Sequence, residues 1–147
     1  MTAGEEEQLL LDAEQKRWSE RPIERAEAAA IYGCIATHQY ELGSYESAAY
    51  GFHYAGHAFR TVWMDAKAAT SYIYSANAGK AFVAGLDRAT QLAIAKRQMR
   101  FDLRSLGRAV VACRASGQFD NAEDAMKRWE KLKADLDVIV RENSVEG

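Results

Sequence analysis

Apolar residues recur every three to four positions along most of this chain, which is the spacing of one face of an α-helix. In the first segment, for example, Leu9, Leu10, Ala13 and Trp18 approximate one apolar face. No segment alternates apolar and polar residues over the length of a strand, and the chain contains a single proline. Because proline breaks helices, this pattern predicts long helices and an all-α fold.

Glycine, proline and potential capping residues divide the pattern into separate helices. We predict helices at about 5–18, 23–41, 45–62, 66–83, 88–100, 103–115 and 119–141. Gly43 and Gly117 fit left-handed helix stops, and Ser44 and Asp87 fit helix N-caps. The boundary at Phe101-Asp102 stays open, because one continuous helix through it is the alternative.

Two segments, 42–52 and 116–126, follow the same order of residue types. Each has a glycine, an aromatic residue two positions later, alanine three positions after that, and a large apolar residue four further on. This order indicates two helices joined by a glycine turn, with small residues where the helices cross closely. The stretch between the two glycines leaves room for one more unit of about 34 residues.

This arrangement resembles the tetratricopeptide repeat (TPR), a helix-turn-helix unit of about 34 residues. The first copy carries Tyr32, Ile35, Ala36, Gly43, Tyr45, Ala48, Phe52 and Ala55. The last copy carries Leu106, Ala109, Val110, Gly117, Phe119, Ala122, Met126 and Trp129. The middle copy is degraded, and it retains Ile73, Ala76, Gly85 and Ala89. The chain departs from the family in lacking a proline after each second helix, and in Val110 and Trp129, where small residues are usual.

The resemblance implies one domain over 1–147, built of antiparallel helical hairpins stacked as a short right-handed solenoid of about six to seven helices. Its predicted parts are an N-terminal helix (1–21), three hairpin repeats (22–62, 63–100 and 101–132), and a C-terminal helix extension and tail (133–147). A compact helical bundle is the alternative architecture.

A TPR-like solenoid would present a concave groove lined by the first helix of each hairpin, and such grooves hold a peptide or a helix of another protein. The implied groove residues are Thr37, Tyr40, Glu41, Tyr74, Ala78, Ala81, Phe82, Gly107, Val111 and Arg114. This mixture of apolar, aromatic and few charged side chains suits an amphipathic helix or an extended peptide. Tyr74 and Phe82 have a competing interpretation as residues of the hydrophobic core.

Arg97, Arg100, Arg104 and Arg108 advance by three or four residues and would form a basic stripe on one continuous helix. The stripe would suit an acidic helix, a phosphorylated segment or nucleic acid. Alternatively, it is a solvated face that pairs with neighbours such as the acidic segment 5–7. The formal net charge is -2 and no nucleic-acid-reading motif is present, so we do not expect nucleic acid as a partner.

The histidines are the candidate metal ligands. His53 and His57 share a helix face at the spacing that lets two imidazoles bind one ion, and Cys34 and His38 lie on the preceding helix. Distance from the turn at Gly43 argues against one site, because residues pair across a hairpin when they are equally far from its turn. We therefore expect no metal, with Cys34/His38/His53/His57 as the alternative set.

The sequence contains no glycine-rich phosphate loop, nucleophile elbow or His-Glu-x-x-His arrangement. We therefore expect a non-catalytic adaptor or chaperone without a cofactor. No basic-apolar leader or apolar run of bilayer length is present, which favours a cytoplasmic protein with no membrane partner. Two alternatives are a helical bundle with a histidine-lined metal or small-ligand site, with or without enzymatic activity, and a subunit that self-associates through Tyr50 and Tyr54.

Overall fold

A computed structural model shows the chain as a series of six α-helices. It describes the backbone of residues 1–146 and the side chains of residues 1–143. The helices are α1 (Ala3–Lys16), α2 (Pro22–Glu41), α3 (Tyr45–Thr61), α4 (Asp65–Ala84), α5 (Leu92–Ala115) and α6 (Phe119–Glu146). The described backbone contains no strand, so the prediction of an all-α fold is confirmed.

Each helix packs against the next helix in the chain, and the extensive helix-helix contacts are all of this consecutive kind. Short turns join most of the helices, so neighbouring helices run antiparallel as stacked hairpins. A few side chains also reach beyond the next helix. Phe101 of α5 contacts Tyr50 of α3, with ring centroids 4.6 Å apart. These contacts give the repeat-like arrangement that the sequence pattern predicts.

The helices approach one another closely because most of the buried hydrophobic residues are alanines. Two glycines of α3 extend this close approach to both of its neighbours. A Cβ at Gly51 would lie 2.9 Å from the Cβ of Ala36 on α2, and a Cβ at Gly56 would lie 2.7 Å from the Tyr72 ring on α4. Such separations are too short for carbon atoms, so α3 occupies a slot that a bulkier helix would not fit.

Three of the helix-helix turns have the same geometry. In each turn one residue adopts a left-handed conformation: Gly43 (φ 80°), Trp63 (φ 63°) and Gly117 (φ 75°). The residue after it donates its N–H to a carbonyl in the last turn of the preceding helix, which is a Schellman closure. These bonds are Ser44 to Gln39 (2.8 Å), Met64 to Phe59 (3.0 Å) and Gln118 to Cys113 (2.8 Å). The two glycine stops are confirmed, while Trp63 occupies an equivalent position without being glycine.

Two helix boundaries differ from the predicted limits. Residues 92–115 form one continuous helix, which confirms the continuous alternative at 101–102, and the predicted unit boundary at 100/101 therefore falls inside α5. Asp102 faces the protein interior there, which is why it does not cap a new helix. Asp87 does not cap α5 either. Its carboxylate accepts from Ala89 N–H and the Thr90 hydroxyl within the 85–91 turn, and Gln91 precedes the helix.

Candidate functional site

A cleft of about 300 Å³ lies between α2 and α4. We call it the tyrosine cleft; its lining is Thr37, Tyr40, Glu41, Phe52, Tyr74 and Asn77. Tyr40 and Tyr74 are 40% and 49% exposed, whereas Phe52 of α3 is buried and packs edge-on against Tyr74, with centroids 5.5 Å apart. The cleft therefore combines an apolar base with aromatic side chains open to solvent.

The tyrosine cleft contains four of the predicted groove residues, because Thr37, Tyr40, Glu41 and Tyr74 all line it. Phe52 and Asn77 belong to the cleft but were not assigned to it from the sequence. Phe52 was identified as a residue of the first repeat copy, and no pattern distinguished Asn77.

The remaining predicted groove residues lie elsewhere. Ala78 is fully buried in a cluster with Ala36 and Phe52, so its assignment to a surface groove is wrong. Phe82 is half-buried on α4, while Val111 and Arg114 are exposed on α5, and none of these three lines the tyrosine cleft. Ala81 and Gly107 are half-buried and also lie outside it. The cleft is thus shaped by α2, α3 and α4 alone.

The four stripe arginines lie on the continuous helix α5, and all four are exposed. Arg104 lies over the Phe101 ring, 5.8 Å from its centroid. Among the side chains of residues 1–143, none of the four forms an ion pair. The proposed pairing of the stripe with 5–7 is therefore not seen, and Glu6 instead accepts a hydrogen bond from Gln39.

His53 belongs to a buried chain of hydrogen bonds between α3, α4 and α5. Its Nδ1 is 2.8 Å from the Ser105 hydroxyl, which is 3.2 Å from the Ser75 hydroxyl. Ser75 donates its proton to the Ala49 carbonyl at 2.7 Å. Ser105 must then donate to Ser75, and His53 Nδ1–H must donate to Ser105. Burial, followed by the charges of His57 and nearby arginines, lowers the pKa of His53 to about 3, so its ring is neutral.

His57 has a hydrogen-bond partner on α4. The Tyr72 hydroxyl lies 2.8 Å from His57 Nδ1, and the two rings meet edge-on with centroids 5.5 Å apart. Burial lowers the pKa of His57, and the charges of Arg108 and Arg60 lower it further. Burial also raises the pKa of Tyr72, against the effect of those two arginines.

These contacts do not create a metal site from the alternative ligand set. Cys34 is an exposed free thiol. The His53 and His57 rings lie 4.4 Å apart, centroid to centroid, and the Nδ1 atom of each takes part in a hydrogen bond described above. No group of three or more His, Cys, Asp or Glu side chains is placed to hold a metal ion in the described part of the chain.

A second cleft, of about 260 Å³, lies between α4, α5 and α6 and was not predicted. We call it the cationic cleft. Its apolar walls include Val83, Met99, Leu106 and Leu132, and its basic residues are Lys80, Arg88, Arg128 and Lys131. Its two acidic residues are Asp102 and Asp135.

Asp102 is the buried polar group of the cationic cleft, with 3% of its surface exposed. Its Oδ1 accepts a hydrogen bond from the Gln98 amide at 2.9 Å. Gly79 of α4 lies directly against this carboxyl, where a Cβ would overlap it. Burial raises the pKa of Asp102 to about 7, although the Gln98 hydrogen bond and the charge of Arg128 oppose the rise. A sequence signal for this residue existed, because Asp102 falls in the apolar phase of α5 between Met99 and Leu106.

None of the helices in the described part of the chain is both long enough and apolar enough to cross a membrane. Comparisons with protein families, with curated proteins and with solved structures found no match. The functional interpretation therefore depends on the two clefts and the exposed arginines of this chain.

Proposed function

We propose that this chain is a non-catalytic protein-interaction module, an adaptor or chaperone, that binds a segment of another protein in the tyrosine cleft. The observation that carries this proposal is the pair of half-exposed tyrosines, Tyr40 and Tyr74, which come from different helices and line one cleft over the buried Phe52 ring. Tyrosine is enriched in protein interfaces because its ring is apolar and its hydroxyl tolerates solvent.

The chemistry of the cleft indicates an amphipathic helix as its occupant. Amphipathic helices bind grooves through a few apolar anchors spaced by one turn, and the Phe52 base offers a contact for one such anchor. Glu41 is exposed at the same cleft and forms no ion pair among the described side chains. We therefore expect a lysine or arginine of the partner to lie beside the apolar anchor.

The proposal takes the hairpins to be TPR-like, because a TPR array binds its partner on the surface lined by the first helices of its hairpins. Tyr40 of α2 and Tyr74 of α4 occupy such positions in the first two hairpins. A cytoplasmic location is part of the same proposal, since the exposed Cys34 thiol is free and a reducing compartment would keep it so.

Peptide selection from a displayed random library tests this proposal without knowledge of the natural partner. The best selected peptide is labelled, and its dissociation constant is measured by fluorescence polarisation for the wild type and for Tyr74→Ala. A tyrosine that acts as an interface hot spot contributes about 2 kcal/mol or more, so we expect Tyr74→Ala to weaken binding by roughly thirtyfold. Glu41→Lys should weaken it as well, and more so for peptides that contain basic residues.

The matched control is Tyr54→Ala, which removes another half-exposed tyrosine, 46% exposed, that lines neither cleft. It should leave the affinity unchanged. Failure to select any peptide, or selected peptides that bind Tyr74→Ala and the wild type equally, would show that the tyrosine cleft is not the docking site.

A further inference from the structure

We infer that the cationic cleft binds a small hydroxylated carboxylic acid, with the hydroxyl at Asp102 and the carboxylate among the basic side chains. This site is distinct from the tyrosine cleft, since the two have no lining residue in common. The inference does not depend on the proposed peptide-binding function. It rests on the size of the cleft, on its basic side chains, of which Arg128 also donates a hydrogen bond to Asn77, and on the free carboxyl oxygen of Asp102.

The size of the cleft limits the ligand to a small molecule. Its volume of about 260 Å³ is near the lower end of the range for ligand pockets, which begins at about 300 Å³. The side chains of Met99, Leu106 and Leu132 give it apolar walls. A single ring or a short branched chain would fill this space and bury its apolar surface against these walls.

The basic side chains of the cleft indicate that its ligand is an anion. Lys80, Arg88, Arg128 and Lys131 converge on it from α4, from the 85–91 turn and from α6. None of the four forms an ion pair within residues 1–143. Four basic side chains against Asp102 and Asp135 leave the lining with an excess of positive charge. Charge-assisted hydrogen bonds to a carboxylate are among the stronger polar contacts that such side chains make.

The position of Asp102 indicates that the other end of the ligand carries a hydroxyl group. One of the Asp102 carboxyl oxygens accepts from Gln98, and the other has no hydrogen-bond partner among the described residues. In the described part of the chain the fully buried side-chain polar atom without a partner is the Tyr32 hydroxyl, so the second Asp102 oxygen is open to the cleft, where a ligand hydroxyl can donate to it. A hydroxyl fits both protonation states, because it donates to the carboxylate and accepts from the acid. Gly79 pressing against the carboxyl keeps Asp102 in place.

Isothermal titration calorimetry with 4-hydroxyphenylacetate as the probe tests this inference. Phenylacetate lacks the hydroxyl, tyramine replaces the carboxylate with an ammonium, and acetate lacks the ring. We expect 4-hydroxyphenylacetate to bind with a dissociation constant of roughly 1 mM or lower, as is usual for ligands of its size. Phenylacetate should bind about tenfold more weakly, because Asp102 stays unpaired. Tyramine and acetate should show no saturable binding.

Variants then assign the binding to the cleft. Lys80→Gln and Lys131→Gln should each weaken binding of 4-hydroxyphenylacetate by about fivefold to tenfold. Lys127→Gln is the control, since Lys127 is an exposed lysine of α6 outside the cleft. In Asp102→Leu, which keeps a similar side-chain shape, the difference between 4-hydroxyphenylacetate and phenylacetate should vanish.

Circular dichroism verifies that each variant is folded. If Asp102→Leu does not fold, the two lysine variants alone test whether the ligand binds in the cationic cleft. Three results overturn the inference: no saturable binding of 4-hydroxyphenylacetate, equal binding by acetate, or an affinity that both lysine variants leave unchanged. None of these results bears on the peptide proposal, whose variants lie in the other cleft.

Discussion

Replacing Asp102 with asparagine should stabilise the protein at neutral and alkaline pH, and should do so progressively as the pH rises. Asp102 is buried, its pKa is raised to about 7, and burial is the largest cause of that rise. Asparagine has nearly the same shape and keeps an oxygen that accepts from Gln98. It therefore fits against Gly79 as the aspartate does, while it removes the charge whose burial is unfavourable.

The sign of the effect follows from proton binding in the two states. In the unfolded chain Asp102 has the ordinary pKa of 3.8, whereas in the folded protein its pKa is about 7. Between these values the folded protein binds the extra proton, so the Asp102 contribution to stability falls as the pH rises. Each unit of difference in pKa corresponds to about 1.4 kcal/mol, which makes the full loss about 4 kcal/mol, complete above the folded pKa.

The assay is urea unfolding followed by circular dichroism, repeated from about pH 4 to about pH 8 for wild type and Asp102→Asn. The free energies of unfolding should differ little at the acidic end. The variant should gain about 1.4 kcal/mol per pH unit in between and level off near pH 7. Asp124→Asn, which changes an exposed carboxylate on α6, should show no such trend. A difference that stays constant over the whole range would refute the buried-charge explanation.

The assay compares the unfolding free energies of wild type and variant because His53 and His57 change stability with pH in the direction opposite to Asp102. Burial depresses the pKa of both rings below 6.5 in the folded protein. Their contribution is therefore present above the unfolded pKa and is lost as the pH falls through the folded values. In the wild type this trend partly cancels that of Asp102 on the acidic side of neutrality. Both histidines remain in the variant, so their effect drops out of the difference.

Three further outcomes follow from local geometry. Trp63→Gly should raise the free energy of unfolding by about 1 kcal/mol in urea titrations, because Trp63 is 86% exposed at a left-handed position that costs other residues about 1–2 kcal/mol. Gly79→Ala should lower it by roughly 1–3 kcal/mol, since the added methyl overlaps the Asp102 carboxyl. Long-range ¹H–¹⁵N NMR at neutral pH should show His53 protonated on Nδ1, because Ser75 donates to the Ala49 carbonyl and Ser105 then donates to Ser75; protonation of His53 on Nε2 would contradict this chain of hydrogen bonds.

Much of the fold could be predicted because helix periodicity and turn chemistry are local properties of the sequence. Gly43 and Gly117 mark left-handed turns, and the predicted helix limits around them agree with the structure to within a residue. The turn at Trp63 has no glycine to mark it, and nothing in a tryptophan signals a left-handed conformation. Of the two alternatives at 101–102, a break or a continuous helix, the structure has the continuous helix, because Asp102 packs in the interior against Gly79.

The candidate sites were less predictable because they join residues from separate helices. The tyrosine cleft was predicted in part, since the repeat phase assigned Tyr40 and Tyr74, which both line it, to one surface. The cationic cleft was missed because it needs the continuous helix α5 and its contact with both α4 and α6. Arg128 and Lys131 have the composition of an ordinary solvated helix face. Only the positions of their neighbours across the cleft distinguish them from such a face.

The continuity of α5 connects the cationic cleft with the buried hydrogen bonds of His53. Asp102 and Ser105 are three residues apart on this helix, and they face different partners: Asp102 contacts Gly79, and Ser105 contacts Ser75 and His53. An inserted residue just before Asp102 would rotate the two parts of the helix relative to each other by about 100°. If the apolar face of the N-terminal part of α5 stays packed, Asp102 and Ser105 then lose their partners. A break in the helix at 101–102 would have the same consequence. The Asp102 carboxyl in the cationic cleft and the Ser105 hydroxyl beside His53 would no longer be held in fixed positions relative to each other.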